Sequence, residues 1–577
     1  MSTQTAAPGI LVVCITFWPS SSCPLLIAII QVGAGPAGLT LALTLARNGV
    51  PVRIIEKRGD FHLEQRGAGI HPRTLEVFHF LGILDDVYAK GRPLPPFRQY
   101  KLPGGVETLS TFYIIAPAEN TPSIPHNNSY VIGQCHTEAI LRSHLAKYGV
   151  VVELATELRS FEQFEGHVKA VIVRHEGDKE VASTETYRWL VGADGGRSVV
   201  RKQLGLAFEG QALPDRLILG ELYLEGLDTE HWHRWNDWSN TVATRPTETK
   251  GLFWFIVTGN LNYEEALSGY EALLKVIKKS IQRTDLVFGD LVYMTEYRPN
   301  VRMVNKLGEG RAFLAGGKSI CECLLVQDAF NLGWKLSLVE KGYAPTTLLS
   351  TYSEERLPVI KRMIDETKAM YKIVMNGPRD KPRGAGEEDA AWRGRQDQLK
   401  QLGINYRWSS VLVDEIHAVD TEEAKKETVD AYGALGGDGL HAGDRAPDAP
   451  ALVHLKAGDS DTRSTSLFDI FGPTHHTILL FCSDEPATEA VLEALRSYPR
   501  EQVHVLVIHP KDASAASVTG GADLVLQDSE GHAYSAYGVT DGRPLGVIVR
   551  PDGVIGGMVL GVGMKEYFSK VFTPTTN

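Results

Sequence analysis

"QVGAGPAGLTLALTLARNGVPVRIIEKR", Gln31 to Arg58, decides the fold. Gly33, Gly35 and Gly38 form G-x-G-x-x-G. The apolar run "LLIAIIQV" before them predicts a strand. "LTLALTLARNG" after them has helical apolar spacing and closes at Gly49, and "VPVRIIEKR" predicts a second strand ending at Glu56. Strand, glycine turn, helix, strand and acid make a dinucleotide-binding βαβ unit. Gly33 permits the tight turn, Gly35 lets backbone approach a pyrophosphate, and Gly38 lets the helix pack on the strand. The helix N-terminus offers free N–H groups and positive potential to the phosphates. Glu56, with Lys57 beside it, is the acid expected to accept hydrogen bonds from a ribose diol.

At 577 residues the chain exceeds one compact domain. Its 43% hydrophobic and 22% charged residues are ordinary for a soluble globular protein. A formal net charge of -11 speaks against nucleic acid as a partner, which takes a basic face. Six cysteines, none in C-x-x-C or a zinc spacing, fit a reduced cytoplasmic protein without a metal site. Cys321 and Cys323 form C-x-C, but no nearby His or Cys completes a site. Residues 10–32 approach the length of a membrane span. Pro19, Pro24 and a serine run interrupt them, and no basic segment precedes them. Membrane association through this segment is the alternative to a cytoplasmic chain.

Further motifs follow in order: "QRGAGIHPRTLEVFHFLGILDD" (Gln65 to Asp86), "IGQCHTEAILRSHL" (Ile132 to Leu145), "LVGADGGRSVVRKQLGL" (Leu190 to Leu206), "GEGRAFLAG" (Gly308 to Gly316) and "VQDAFNLGWKLSLVEKG" (Val326 to Gly342). From about Val32 onward the chain resembles the FAD-dependent aromatic hydroxylases, the single-component flavoprotein monooxygenases. The resemblance implies that Arg66 contacts the flavin nucleotide and that Gln134 lies by the cofactor. Asp194 and Gly195 would form the second flavin signature, and Gly316 and Gly317 the third. The last region, from "HAGDRAPDAPAL" (His441 to Leu452) to "PLGVIVRPDGVIGGMV" (Pro544 to Val559), resembles the thioredoxin-like C-terminal domain of the phenol and polyketide hydroxylase branch. With no C-x-x-C, and Cys482 alone, a structural or dimerisation role is expected of it.

The expected architecture is therefore α/β and α+β multidomain: a Rossmann-like FAD-binding domain, a substrate-side β-sheet and a thioredoxin-like domain. Boundaries fall at an anomalous apolar segment 1–31, the first part of the FAD-binding domain 32–206, the substrate-side sheet 207–299, the rest of the FAD-binding domain 300–376, a polar connector 377–440 and the last domain 441–577. The implied reaction is hydroxylation of a small phenolic or polyketide aromatic substrate. NADPH or NADH, visiting transiently, would reduce FAD, and O2 would give a flavin C4a-hydroperoxide that the phenolate attacks. The phenol must lose a proton, so a base is useful. Some relatives carry Asp where this chain has Ala68; His71 is the nearby catalytic candidate. Tyr293, Tyr297 and Arg298 face either a substrate pocket or the sheet. "HWHRWNDW" (His231 to Trp238) reads as aromatic surface-loop packing, with a pocket edge as the alternative.

One signature is broken. The resemblance calls for Asp after "RAFLAG", followed by a loop rich in His, Pro and Gly. Gly317 stands in the Asp position and "KSICECLL" replaces the loop, although Gly316, Gln327 and Asp328 are intact on either side. Deleting Val13 to Gln31 would give "GILVVGAGPAGLT", the family's unbroken first strand. Both anomalies read as misjoined gene segments, a hypothesis refuted if mature transcript retains both. The rival to an enzyme is accordingly a flavin-deficient assembly protein on the same fold.

Overall fold

The computed structural model describes residues 28–236, 240–316, 322–376, 396–417, 430–434, 439–455, 463–481, 485–511, 521–540, 545–560 and 563–573. Gly317, Cys321, Cys482, residues 1–27 and most of the expected connector lie outside them.

The strand Ile29–Val32 is buried along its length and sits in a six-stranded sheet. The order is Gly308–Glu309, Ala312–Leu314, Trp189–Gly192, Ile29–Val32, Val52–Ile55, Val152–Glu153. The last five run parallel, as βαβ crossovers require. The helix Pro36–Arg47 has eleven of its twelve residues buried. It packs closely on the helix Glu322–Glu340: a Cβ on Gly333 would come within 2.6 Å of Thr44 Cγ2. A small residue at that crossing is what lets the two helices approach. An antiparallel meander, Thr156–Gln163, Val168–Glu176 and Lys179–Tyr187, leads into the Trp189 strand.

The second sheet has seven strands, in the order Val287–Tyr297, Leu217–Glu225, Leu252–Gly259, Asn240–Pro246, Trp232–Asn236, Phe97–Tyr100, Thr108–Phe112. Two strands thus come from 97–112, well before the span expected to supply this sheet. One face is closed by the helix Tyr270–Ile281, whose Leu273, Ile277 and Ile281 join Ile218, Phe253, Phe255 and Val257 in a separate core. The surface-loop reading of "HWHRWNDW" is corrected here: Trp232–Asn236 is an interior strand. His233 and Trp235 point into the core, where Tyr100 bonds His233 Nδ1 at 2.8 Å. Burying alternate aromatic side chains on one face outweighs the local polarity of the run.

The third sheet has eight strands, in the order Val413–Asp414, Ile555–Val559, Leu545–Val549, His476–Phe481, Val503–His509, Leu524–Asp528, Leu452–His454, Ser464–Thr465. Its edge strand, Val413–Asp414, comes from the stretch expected to be connector. His476–Phe481 and Val503–His509 run parallel, and the Leu545–Val549 and Ile555–Val559 hairpin is antiparallel beside them.

A buried polar cluster ties this last unit to the first. Glu355 accepts from Arg550 Nη1 at 2.8 Å, Lys335 Nζ at 2.7 Å, Asn331 at 2.7 Å and Ser409 at 2.8 Å. Asp552 takes Trp334 Nε1 at 3.1 Å and Arg550 Nη2 at 2.6 Å. Arg445 reaches Glu76 from the same side. Ions this deep persist only because each is paired and fully hydrogen-bonded. Among the described residues no helix is long and apolar enough to cross a membrane.

Candidate cofactor and active site

The three glycine-bearing loops leave neighbouring parallel strands in matched register: Val32 lies beside Gly192, and Gly192 beside Leu314. All three open at the carboxyl edge of the sheet, where open α/β sheets bind ligands. Gly33 sits at φ 103°, and a Cβ there would lie 2.4 Å from Ala193 O. A Cβ on Gly38 would lie 2.2 Å from Gly33 O. Gly35 differs: nothing stands within 4 Å of its missing Cβ, and the helix behind it has no side-chain cap. Its first N–H groups are therefore available to an anion. Gly316, at φ 82°, brings the third loop against Ala37 in the first turn of that helix.

Glu56 follows the second strand. Its Oε2 accepts from Ala34 N at 3.1 Å and its Oε1 from Arg58 N at 3.0 Å. A carboxylate has about four acceptor sites, so a diol can still be bound. Lys57 is exposed. Asp194 reaches the start of the helix Val199–Gln203, which Ser198 caps, and its Oδ2 accepts from Val199 N at 2.6 Å. Its Oδ1 is buried and has no partner among the described residues. Burial pushes this carboxyl above the usual range, against hydrogen bonds that lower it. A buried acceptor without a donor is costly, which marks a place for a ligand hydroxyl. Beside it Gly195 is open, and a small cleft runs between Asp194, Arg201, Leu314 and Gly316.

Gln65 is the hub of the far side. Its N–H donates to Glu221 Oε1 at 2.6 Å, its carbonyl accepts from Gln134 N at 2.9 Å, and its Oε1 accepts from Arg245 Nη2 at 2.9 Å. Its side-chain amide donates to Glu248, which also takes Gly133 N at 2.9 Å. Gly133 is needed here because a Cβ would fall 2.5 Å from the Gln65 amide. Arg66 follows in the left-handed region, at φ 42°, with its side chain exposed. Gln134 donates from Nε2 to the buried Glu138 at 2.8 Å. Burial raises that carboxyl, while Gln134, Arg142 and Arg66 lower it.

The seven-stranded sheet presents a matching face. Tyr293, Glu221, Trp254 and Arg245 stand in one row across four adjacent strands. Tyr293 bonds to Glu221, and burial is the main cause raising its phenol. Arg245 is 1% exposed, lies between the rings of Trp232 and Trp254 at 5.6 and 5.4 Å, and is lowered by burial to about 10. The next row holds Leu219, Ile256 and Ala243, an apolar shelf of which the first two are half-buried. Tyr297 is exposed, and Arg298 is paired with Glu296 at 2.8 Å. Motif reading missed Gln65, Glu221, Arg245 and Glu248. The signal was a charge inside apolar strands, "LILGELYLE" and "NTVATRP".

His71 caps the helix Pro72–Phe80. Its N–H meets Cys323 Sγ at 3.4 Å, and that thiol donates to Gly69 O at 3.1 Å. The first turn of the helix Glu322–Glu340 thus seats against the segment between Arg66 and His71. His71 Nδ1 is buried without a partner among the described residues. Asp328, intact beside the broken signature, is structural: it pairs with buried Arg356 at 2.6 Å.

The fold and these loops define a flavin-nucleotide-binding protein. The family described as "FAD binding domain" matches residues 27–318 and 324–367, and its break falls on the altered third signature. A "Flavin-dependent monooxygenase" of Mycobacteroides abscessus is 33% identical over 79% of this chain and 89% of its own length. "Pentachlorophenol 4-monooxygenase" of Sphingobium chlorophenolicum is 27% identical over 92% of this chain and 93% of its own. The chain belongs to the FAD-dependent monooxygenases, and FAD is its cofactor. The same fold is seen in the flavin-dependent monooxygenase PieE with FAD and substrate (TM-score 0.76, 21% identity, 94% of this chain and 99% of that one) and in aklavinone-11 hydroxylase with FAD and aklavinone (TM-score 0.73, 24% identity, 94% and 98%).

Proposed function

We propose that this chain hydroxylates a phenolic or polyketide aromatic ring, using O2 and a transiently bound NADPH or NADH. The carrying observation is a pair of features: the open loops with Asp194 Oδ1 orphaned among the described residues, and the sheet row Tyr293–Glu221–Trp254–Arg245, which Gln65 ties to Arg66 and Gln134. FAD supplies the oxygen-activating redox chemistry when bound. The protein's part is to bind, orient and keep out water.

In this reading Gly35 and the N-terminus of the Pro36–Arg47 helix take the pyrophosphate, and Glu56 takes the ribose diol. Asp194, with Gly195 and Gly316, takes the flavin's hydroxylated chain. Arg66 and Gln134 lie along the nucleotide. The aromatic substrate rests on Leu219 and Ile256, with Tyr293 at its polar edge. His71 is the candidate base for the phenol, supported by its buried, unpartnered Nδ1. The last domain is read as thioredoxin-like and structural, supported by its βαβ unit, hairpin and final helix Gly563–Val571, and by the buried cluster at Glu355.

The test is substrate-dependent oxidation of NADPH or NADH by FAD-loaded protein across a panel of phenols and polycyclic phenols. A product heavier by one oxygen atom is expected. Oxidation that no aromatic compound stimulates overturns the proposal. One feature favours the rival, a flavin-deficient protein: Gly317 in place of the expected Asp. Flavin content separates the two readings.

A further inference from the structure

We propose that Asp414, His417 and His441 form a divalent metal site of the zinc class, outside the flavin machinery. Asp414 ends the edge strand of the eight-stranded sheet, and His417 follows three residues later. His441 opens a segment that bonds the neighbouring strand, where Gly443 N donates to Ile555 O at 2.7 Å. The fold thus brings two imidazoles and one carboxylate together from separate stretches of chain.

Their ligand atoms lie within 4.8 Å of one another. Asp414 Oδ1 is 3.5 Å from His417 Nδ1, and Oδ2 is 3.8 Å from His441 Nδ1. Both separations are long for hydrogen bonds. Ligand atoms bound tetrahedrally at about 2.0–2.1 Å from zinc stand roughly 3.3–3.4 Å apart. Closing on an ion therefore takes a shift of about a few tenths of an ångström at each Asp414 contact and up to about 1.5 Å in the widest of the three separations. His417 Nδ1 is buried and has no hydrogen-bond partner among the described residues. The two rings lie with centroids 4.0 Å apart and planes at 35°.

The carboxylate is already aimed. Oδ1 accepts from Ile416 N at 3.1 Å and His417 N at 2.9 Å, and Oδ2 accepts from Ala442 N at 3.0 Å. Such outer contacts fix a ligand's direction. Arg407, whose charge acts on His441, is taken up by Asp444 in two bonds of 2.7 Å each. Asp444 also accepts His441 N at 3.0 Å, which holds the start of that segment. Two imidazoles and one carboxylate suit zinc better than calcium or magnesium. Three protein ligands leave a fourth position for water. The ion would clamp the edge strand to the start of the last domain.

The test uses FAD-loaded full-length protein dialysed against a slight excess of Zn2+, then against buffer, with zinc measured by elemental analysis. One zinc per chain is expected, with a raised melting temperature. His417→Gln and His441→Gln should each weaken zinc binding at least tenfold while the flavin spectrum stays unchanged, which confirms folding. If one variant fails to fold, the other decides. Protein that retains no zinc, or variants that retain as much as the parent, overturns the proposal.

Discussion

Arg245→Met is the perturbation that reaches furthest into this account. Arg245 carries the charge facing Glu221 and Glu248, and donates to Gln65 Oε1 at 2.9 Å. Methionine fills similar apolar volume between Trp232 and Trp254 but takes the cation from Glu221 and leaves Glu248 with Arg92 and His136. A charged hydrogen bond of this kind contributes about 1.5–3 kcal/mol. Stripping the partner from a buried charge raises the total to roughly 3–5 kcal/mol. A second effect falls on the cofactor. Gln65 holds Arg66 at φ 42°, a conformation that survives only where neighbours enforce it. With the anchor gone, FAD affinity should drop about tenfold, equivalent to about 1.4 kcal/mol. Arg245→Lys keeps the charge and loses the planar fork, so it should fall between. Guanidinium unfolding gives the stability, and flavin fluorescence titration gives the affinity. A loss of stability with FAD affinity unchanged would refute the anchoring role. Stability within about 1 kcal/mol of the parent would refute the charge argument as well.

Gly38→Ala places a methyl 2.2 Å from Gly33 O, so it should cost about 1–3 kcal/mol and abolish flavin binding; a flavin-loaded, equally stable variant contradicts the close packing. Glu355→Gln takes the paired carboxylate from buried Lys335 and leaves Arg550 with Asp552 alone, and denaturant unfolding should show a loss of about 3–5 kcal/mol; a loss below about 1 kcal/mol contradicts the interdomain cluster. His476 is held by burial at about 3, below its ordinary 6.5. The unfolded chain therefore binds a proton that the folded one refuses, and stability falls as pH drops below about 6.5, by roughly 2 kcal/mol at pH 5 from this residue. His476→Phe, in a pocket lined by Trp334, Tyr567, Phe568 and Phe572, should flatten that part of the pH dependence of thermal melting. An unchanged slope contradicts it.

Much of the cofactor half was legible because its chemistry is local. The strand before Gly33, the helix after it and the strand ending at Glu56 each carry their own apolar period and glycine signal. They appear as Ile29–Val32, Pro36–Arg47 and Val52–Ile55. The large sheet was less legible because its register is set by distant pairings, such as Trp232 with Phe97, that no local pattern encodes. The same holds for Arg245 and Gln65, 180 residues apart, and for Arg550 and Glu355, 195 apart. Trp232–Asn236 was misread because three polar residues interrupt its apolar alternation. One of them, His233, is buried through its bond to Tyr100. Gln31 shows the opposite case: a polar residue in a buried strand, with Nε2 on Gly33 O at 3.2 Å and Oε1 without a partner among the described residues. It lies at the end of the segment whose removal would restore an apolar strand.

The most direct test of the central claim is the visible absorbance of the purified chain after incubation with FAD and removal of free flavin. A shifted flavin spectrum at near one FAD per chain is expected, because the first two signatures and Gly316 form an open cradle. A colourless protein would contradict it. Restoring Asp at position 317 together with the family's loop would then be the step that returns the cofactor.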